Sequence, residues 1–311
     1  MGARNKLFAL VLSLGFSLSA SYAFAAKKPA NEDCLTCHSD STLTKEADGK
    51  SISLHVDPGH FKNSIHGTMF SCVDCHKGVK AEPHETPPPK VTCAQCHADQ
   101  QAAYDRSYHA TGEHKAATCE DCHGSVHELL PSSDPKSTVN HANVPATCGR
   151  CHSQKFVMEA SGHSAQPFIS YQESVHGRAL AAGKDGAAVC TDCHGAHDIL
   201  AASDPKSSIN KLNVPGTCAK CHQAVETQFM QSIHGQALAR GNSQAPVCTD
   251  CHGIHSIKAH IDPNSSVSAQ NVARTTCARC HAGVRLSQEF GMTGQSVSTY
   301  LDSYHGLASR G

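Results

Sequence analysis

The sequence predicts a mostly irregular fold with short α-helices and little or no β-sheet. The 311 residues include no Trp and only 5% aromatic residues, so the side chains that usually fill a large core are scarce. The 23 Gly and 14 Pro residues divide the chain with turns. One five-residue motif also returns nine times, which leaves too little chain between copies for conventional domain cores.

The repeated motif is Cys-x-x-Cys-His, and its nine copies use all 18 cysteines. This spacing is typical of haem c attachment, in which two thiols bond to the haem and the histidine binds its iron. The cysteines are Cys34, Cys37, Cys72, Cys75, Cys93, Cys96, Cys119, Cys122, Cys148, Cys151, Cys190, Cys193, Cys218, Cys221, Cys248, Cys251, Cys277 and Cys280. The motif histidines are His38, His76, His97, His123, His152, His194, His222, His252 and His281.

A disulfide framework or structural zinc would also use clustered cysteines. Disulfides give no reason for a histidine after every second cysteine. Zinc bound by grouped Cys and His would leave the histidines between the motifs unexplained. The sequence therefore predicts nine covalently attached haem c groups, whose stack replaces side chains as the hydrophobic core.

A second set of histidines alternates with the motifs. Of 24 histidines, 15 lie outside the motifs, and nine of these recur in similar contexts. Five lie in Ser-x-His, namely His66, His109, His176, His234 and His305. Four follow a motif, namely His84, His127, His197 and His255. We expect these nine to be the second axial ligands, which would make every haem bis-histidine and of low potential.

Short spacings restrict which iron a second histidine can bind. His197 follows His194 by three residues, and His255 follows His252 by three. On a helix such pairs project from one face, whereas two axial ligands approach an iron from opposite sides. His197 and His255 are therefore expected to serve a neighbouring haem.

Six histidines fall outside both sets: His55, His60, His114, His141, His163 and His260. We expect them to be solvated or hydrogen-bonded. His55 and His60 are also candidates to replace His66 at the first haem.

The spacings divide the chain into units. Residues 1–25 have a basic start, an apolar run and Ala23-Phe24-Ala25, which is typical of a signal peptide and predicts a periplasmic or outer-surface location. Residues 26–70 form a one-haem unit, and residues 71–180 and 181–311 form two four-haem repeats. Such repeats stack into an elongated body. We expect no membrane span in the mature chain, because no other stretch is sufficiently apolar.

Two features concern partners and the end of the sequence. The formal net charge of −1 shows no basic patch, so nucleic acid is not an expected partner.

Ser303-Tyr304-His305-Gly306 repeats an element that, at His176 and His234, is followed by another Cys-x-x-Cys-His motif. Either His305 serves the ninth haem or the polypeptide is longer, and the pattern slightly favours the second.

The Cys-x-x-Cys-His units, the Cys-His-Gly-x-His variants at 193–197 and 251–255, and the Ser-x-His-Gly elements resemble the multihaem c-type cytochromes of anaerobically respiring bacteria. The resemblance covers residues 34–305. It implies electron transfer from a quinol-oxidising membrane partner to a terminal acceptor or reductase, with redox proteins as partners. Members include periplasmic shuttles, outer-surface conduits and nonahaem domains joined to membrane cytochrome b.

Other functions stay open. A multihaem reductase of nitrite, hydroxylamine or a sulfur oxyanion needs one open haem site, which the match of nine motifs and nine second histidines disfavours. A subunit of an extracellular haem filament is the third hypothesis, and oligomerisation is left open. We expect an electron carrier with no catalytic residue rather than an enzyme.

Overall fold

The computed structural model describes residues 28–79, 83–84, 86–112, 117–291 and 293–309. The expected signal peptide and His114 lie outside these residues. The described part is helical and irregular with one two-stranded sheet, which confirms the predicted fold class at that level.

Most helices are short, and many begin at or just before a Cys-x-x-Cys-His motif. The α-helices are α1 Asn31–His38, α2 Pro58–Asn63, α3 Cys72–Cys75, α4 Ala98–Arg106, α5 Tyr108–Thr111, α6 Cys119–His123, α7 Val144–His152, α8 Lys155–Ala160, α9 Gln166–Gln172, α10 Val175–Ala181, α11 Cys190–His194, α12 Val214–Gln231, α13 Ile233–Ala239, α14 Cys248–His252, α15 Ala278–His281, α16 Val284–Glu289, α17 Ser296–Leu301 and α18 Tyr304–Ala308. Three 3₁₀ turns cover Cys93–Gln95, His141–Asn143 and Lys211–Asn213, and a π-helix covers Val272–Cys277. Helix α12 is kinked at His222, whose φ of −107° and ψ of 40° are not helical.

The sheet is a single hairpin ahead of the four-haem repeats. Strand β1 (Thr44–Ala47) pairs antiparallel with β2 (Lys50–Ser53), with Thr44 opposite Ser53. Asp48 and Gly49 form the turn with positive φ angles of 50° and 72°. Asp-Gly suits this tight turn because both residues tolerate the left-handed region.

The protein contributes little apolar core of its own. The buried hydrophobic residues of the described part are mostly Val and Ala, and the cluster around Val214 contains only Leu238, Ala245 and Val247 besides. Four of the five largest fully buried side chains are serines. The packing of the described chain therefore depends on small residues and hydrogen-bonded turns rather than on large apolar side chains.

In the described ranges, no helix combines the length and the apolar character needed to cross a membrane.

Candidate functional site

An acidic residue sets the start of several motif helices. In α11 the Asp192 carboxylate accepts a hydrogen bond of 2.7 Å from the Val189 N–H, just before Cys190. Asp250 does the same for Val247 at 2.8 Å ahead of α14. This capping hydrogen bond satisfies a backbone N–H group that the start of the helix would otherwise leave unpaired. It fixes the helical turn on which both cysteines and the histidine of the motif lie.

A basic residue of the next motif along the chain hydrogen-bonds to the backbone of several of these motif turns. Lys220 Nζ donates 2.7 Å to the backbone oxygen of Asp192, which joins the motif at Cys218 to that at Cys190. Arg150 and Arg279 make the same contact with the backbone oxygens of Asp121 and Asp250. From the fourth motif onward, acidic and basic residues thus alternate at the position before the second cysteine, and each basic residue hydrogen-bonds to the preceding motif.

Eight motif histidines each lie against a histidine of the second set. The ring centroids of these pairs are 5.9–6.3 Å apart. The pairs are His38–His84, His97–His66, His76–His127, His152–His109, His123–His197, His222–His176, His194–His255 and His281–His234. The rings of a pair are too far apart to touch and leave a gap between them.

The gap has the width of one metal atom. A metal–nitrogen bond of about 2 Å on each side, plus about 1 Å from each nitrogen to its ring centre, gives roughly 6 Å between centroids. Within the described ranges, no group of three or more His, Cys, Asp or Glu side chains is placed to hold a metal ion. Each pair presents two imidazole rings across a gap, and in sequence each motif histidine directly follows a pair of cysteines, so the residues present fit the donor set that haem c requires.

The pairs interleave along the chain. His66 lies against His97, and His109 lies against His152. In sequence, one complete motif lies between each of these second histidines and the motif whose histidine it faces. His197 lies against His123, two motifs earlier, rather than against its neighbour His194. His255 lies against His194 in the same way. Histidines three apart in sequence therefore belong to different sites, in keeping with the spacing argument.

The first motif has a partner that the sequence did not suggest. His38 lies against His84, with ring planes 10° apart. His66 lies against His97 instead, and His60 Nδ1 is 3.3 Å from the Glu128 carboxylate. Of the described residues, the three expected candidates His55, His60 and His66 are therefore not the ring opposite His38.

Two expected site residues are not brought together with any histidine. Among the described residues, no histidine ring is paired with His252, and His305 has a ring contact only with Tyr304, at 6.1 Å. The sequence predicted nine second ligands for nine motifs, and the described chain forms eight opposed pairs.

A buried serine begins three of the five Ser-x-His elements. Ser174 Oγ donates 2.6 Å to the Tyr171 carbonyl and accepts 3.1 Å from the Gly177 N–H. Its exposure is 1%, and Ser64 and Ser107 are buried to the same degree. The glycine after the histidine is needed because a Cβ on Gly177 would lie 2.2 Å from the Tyr171 oxygen. This double hydrogen bond fixes the start of the short helix that carries the second histidine.

An aromatic residue lies five positions before the histidine of every Ser-x-His element, which is a signal that the sequence offers for these elements. These residues are Phe61, Tyr104, Tyr171, Phe229 and Tyr300. The Tyr104 hydroxyl donates 2.8 Å to the Ala117 oxygen, and the Tyr171 hydroxyl donates 3.0 Å to Ala188. Each acceptor lies two residues before the next motif, so the tyrosine ties a second histidine to that motif.

Burial lowers the pKa of many of the paired imidazoles. This is the largest cause for ten of them: His66, His76, His109, His123, His127, His152, His176, His194, His234 and His255. Repulsion from the charged form of the partner ring adds to it at several sites, as His222 does for His176. Loss of hydration disfavours the imidazolium. These rings are therefore kept neutral, the form that binds a metal.

Successive motifs lie beside one another through their cysteines. At four junctions one thiol lies close enough to change the pKa of the other: Cys34–Cys72, Cys93–Cys119, Cys148–Cys190 and Cys218–Cys248. At the other four junctions the thiols lie close enough for their charges to interact: Cys75–Cys96, Cys122–Cys148, Cys193–Cys221 and Cys251–Cys277. The nine candidate sites therefore follow one another in space in the order of the sequence.

Three of the remaining histidines are hydrogen-bonded, as expected. His141 Nε2 is 3.1 Å from an Asp192 oxygen, and His163 Nε2 is 3.0 Å from the Tyr108 hydroxyl. His60 contacts Glu128 as given above. These rings help to join units of the chain.

Comparison of the chain with protein-family models, with curated proteins and with solved structures gives no match.

Proposed function

We propose that this chain is an electron-transfer protein that holds nine haem c groups in a row. When bound, the haem iron supplies the redox chemistry, because it gains and loses one electron between its ferric and ferrous states. The chain's own residues bind and orient the haem groups. Paired thiols fix each macrocycle, motif histidines hold one side of each iron, and the second histidines hold the other side at eight sites.

The observation that carries this proposal is the spacing of the eight histidine pairs. Centroid distances of 5.9–6.3 Å recur in pairs whose members are as far apart in sequence as His123 and His197. Each of the eight pairs also joins one motif histidine to one histidine of the second set, which chance contacts between rings would not do. A single iron between two imidazoles accounts for this spacing.

The order of the sites supports transfer along the chain. Every junction between successive motifs brings their cysteines together, from Cys34–Cys72 at one end to Cys251–Cys277 at the other. Neighbouring cofactors are then held close by the covalent anchors themselves. A structural or storage role has no need of such contacts. In this proposal the stacked cofactors also replace the apolar core that the side chains do not supply.

The cellular setting is part of the same proposal. The expected signal peptide places the protein in the periplasm or on the outer surface of a bacterium, where covalent haem attachment takes place. Its partners are then redox proteins, with a quinol-oxidising membrane complex on one side and a terminal acceptor or reductase on the other.

Intact mass spectrometry of the exported protein tests the haem count. We expect the mature chain to carry nine haem groups, and a Cys190→Ala/Cys193→Ala variant to carry eight. A chain with the mass of the bare polypeptide, or with zinc in place of haem, would refute the proposal. Stopped-flow reduction by a menaquinol analogue through a membrane fraction would then measure electron entry.

A reductase with one open haem site is the second candidate. The observation that favours it is the ring of His252, which is unpaired among the described residues, whereas eight other motif histidines have an opposed partner.

A further inference from the structure

We propose that the kind of second histidine sets two electronic classes of haem, which alternate along the chain from the second motif to the seventh. A second histidine in a Ser-x-His element gives the class of higher potential, and a second histidine that follows a motif gives the class of lower potential. This inference rests on the proposed function, because it requires a haem between the two rings of each pair. It goes beyond that function by assigning different electron affinities to successive sites.

The first argument is the angle between the two ring planes of each pair. At the four sites with a Ser-x-His histidine the planes are 42–60° apart, in His97–His66, His152–His109, His222–His176 and His281–His234. At the four sites with a histidine that follows a motif they are 3–30° apart, in His38–His84, His76–His127, His123–His197 and His194–His255. The two ranges do not overlap, so the sequence context of the second histidine divides the eight pairs without exception.

The backbone around the second histidine accounts for the two ranges. In each Ser-x-His element of these pairs the serine hydroxyl accepts a hydrogen bond from the N–H three residues later, at Gly67, Ala110, Gly177 and Gly235, over 2.9–3.4 Å. The histidine lies two residues after the serine in all four, so the cap fixes its backbone in the same way. The histidines that follow a motif lie outside the helices and strands: His84, His127, His197 and His255. Two kinds of backbone therefore present the ring at two different angles.

The angle between the rings affects the iron because each imidazole donates π electrons to the d orbital perpendicular to its plane. Two nearly parallel rings raise the same orbital. The ferric ion has its unpaired electron there, so the oxidised form is stabilised and the potential falls. Rings at a large angle raise two different orbitals and stabilise the ferric form less. Ring orientation and axial ligation are among the means by which a protein tunes a metal.

Backbone hydrogen bonds join one site of each class to a site of the other. The N–H groups of Ile65, Tyr108 and Val175 donate to the carbonyls of Leu129, Ile199 and Ile257, each at 2.8 Å. Each donor directly precedes a Ser-x-His histidine, and each acceptor lies two residues after a histidine that follows a motif. These bonds connect the second and third sites, the fourth and fifth, and the sixth and seventh. The chain therefore holds both classes in two-site units.

This arrangement determines where the first electrons lie. They occupy the higher-potential sites, which are separated from one another by a site of lower potential between the third motif and the seventh. Added electrons are thus kept apart, which weakens their mutual repulsion. A partly reduced chain holds electrons on alternate haems rather than on neighbours.

The test is electron paramagnetic resonance of the exported protein with its haems attached. We expect the ferric protein to show two kinds of low-spin signal from four haems each, with the larger highest g value belonging to the tilted ring pairs. The haem at His252 is not assigned, because no ring lies opposite it among the described residues. When the potential is lowered stepwise, the signal of the tilted pairs should be lost first. One kind of low-spin signal, or two kinds that are lost together, would overturn the inference.

Two matched variants assign the signals to the two kinds of histidine. His176→Gly and His255→Gly remove the second ligands of neighbouring sites, at His222 and His194. The first should reduce the tilted class from four haems to three, and the second should reduce the nearly parallel class from four to three. The reverse assignment would contradict the inference.

A control and a haem count separate the two proposals. His260→Ala should leave both signals unchanged, because His260 belongs to neither histidine set. A protein that carries its covalent haems but shows a single low-spin class refutes this inference and leaves the proposed function standing. A chain without covalent haem refutes both.

Discussion

Replacement of Gly177 by Ala tests the close approach that positions a second histidine. A Cβ on Gly177 would lie 2.2 Å from the Tyr171 oxygen and 2.9 Å from both Cα and O of Gln172. These neighbours are backbone atoms, which cannot rotate away. Overpacking of this kind costs about 1–3 kcal/mol. Alanine regains about 0.5–1 kcal/mol over glycine within a helix, so we expect a net loss of roughly 1–2 kcal/mol.

The free energy of unfolding of Gly177→Ala is to be measured by denaturant titration beside that of Gly186→Ala. A Cβ on Gly186 meets no atom within 4 Å, so this control should be neutral or slightly more stable. Because His176 precedes Gly177, displacement of the helix should also raise the high-spin fraction of the haem that we propose lies between His176 and His222. Equal stabilities for the two variants would refute the reasoning from close approach.

Three further predictions concern a tyrosine, a second histidine and a loop asparagine. Tyr171→Phe removes the hydrogen bond to the Ala188 oxygen and should cost about 1 kcal/mol. Burial raises the pKa of Tyr171 from 10 to about 12, so the wild type should be stabilised relative to this variant below pH 10 and lose that advantage as the pH rises towards 12. His197→Ala should convert one haem to high-spin because it uncovers the iron at His123, whereas His141→Ala should leave the spectrum unchanged; the reverse pattern would contradict the pairing. Asn213→Ala removes two hydrogen bonds, to the oxygens of Pro205 and Ser207, and should lower the free energy of unfolding by about 1–3 kcal/mol, while the exposed Asn264→Ala should have little effect.

Local pattern was enough to predict the coarse fold, and eight of the nine histidines expected as second ligands lie opposite a motif histidine. Short helices at the motifs follow from capping residues such as Asp192, which are visible in the sequence. The hairpin was not predicted, although Asp48-Gly49 is a recognised signal for its turn. The sequence also suggested that histidines three apart serve different sites, and His194 and His197 lie in different pairs.

The partners themselves could not be predicted because they depend on tertiary contacts. His38 was expected to use a histidine near residue 66, yet the ring opposite it is His84. That choice depends on how the hairpin and α2 place the first unit, and no periodicity in the sequence encodes it.

Under the proposed function, export of the chain from its N-terminus would complete the interleaved pairs in a fixed order. A chain that crosses a membrane from its N-terminus delivers His66 before His97, so the site at His97 has its second ligand when the motif emerges. The site at His76 must wait for His127, 51 residues later, and that at His123 must wait for His197. From the second motif to the seventh, maturation would thus alternate between sites completed late and sites completed at once. The late sites are the ones that an exported but unfinished chain would expose to outside ligands or to premature oxidation.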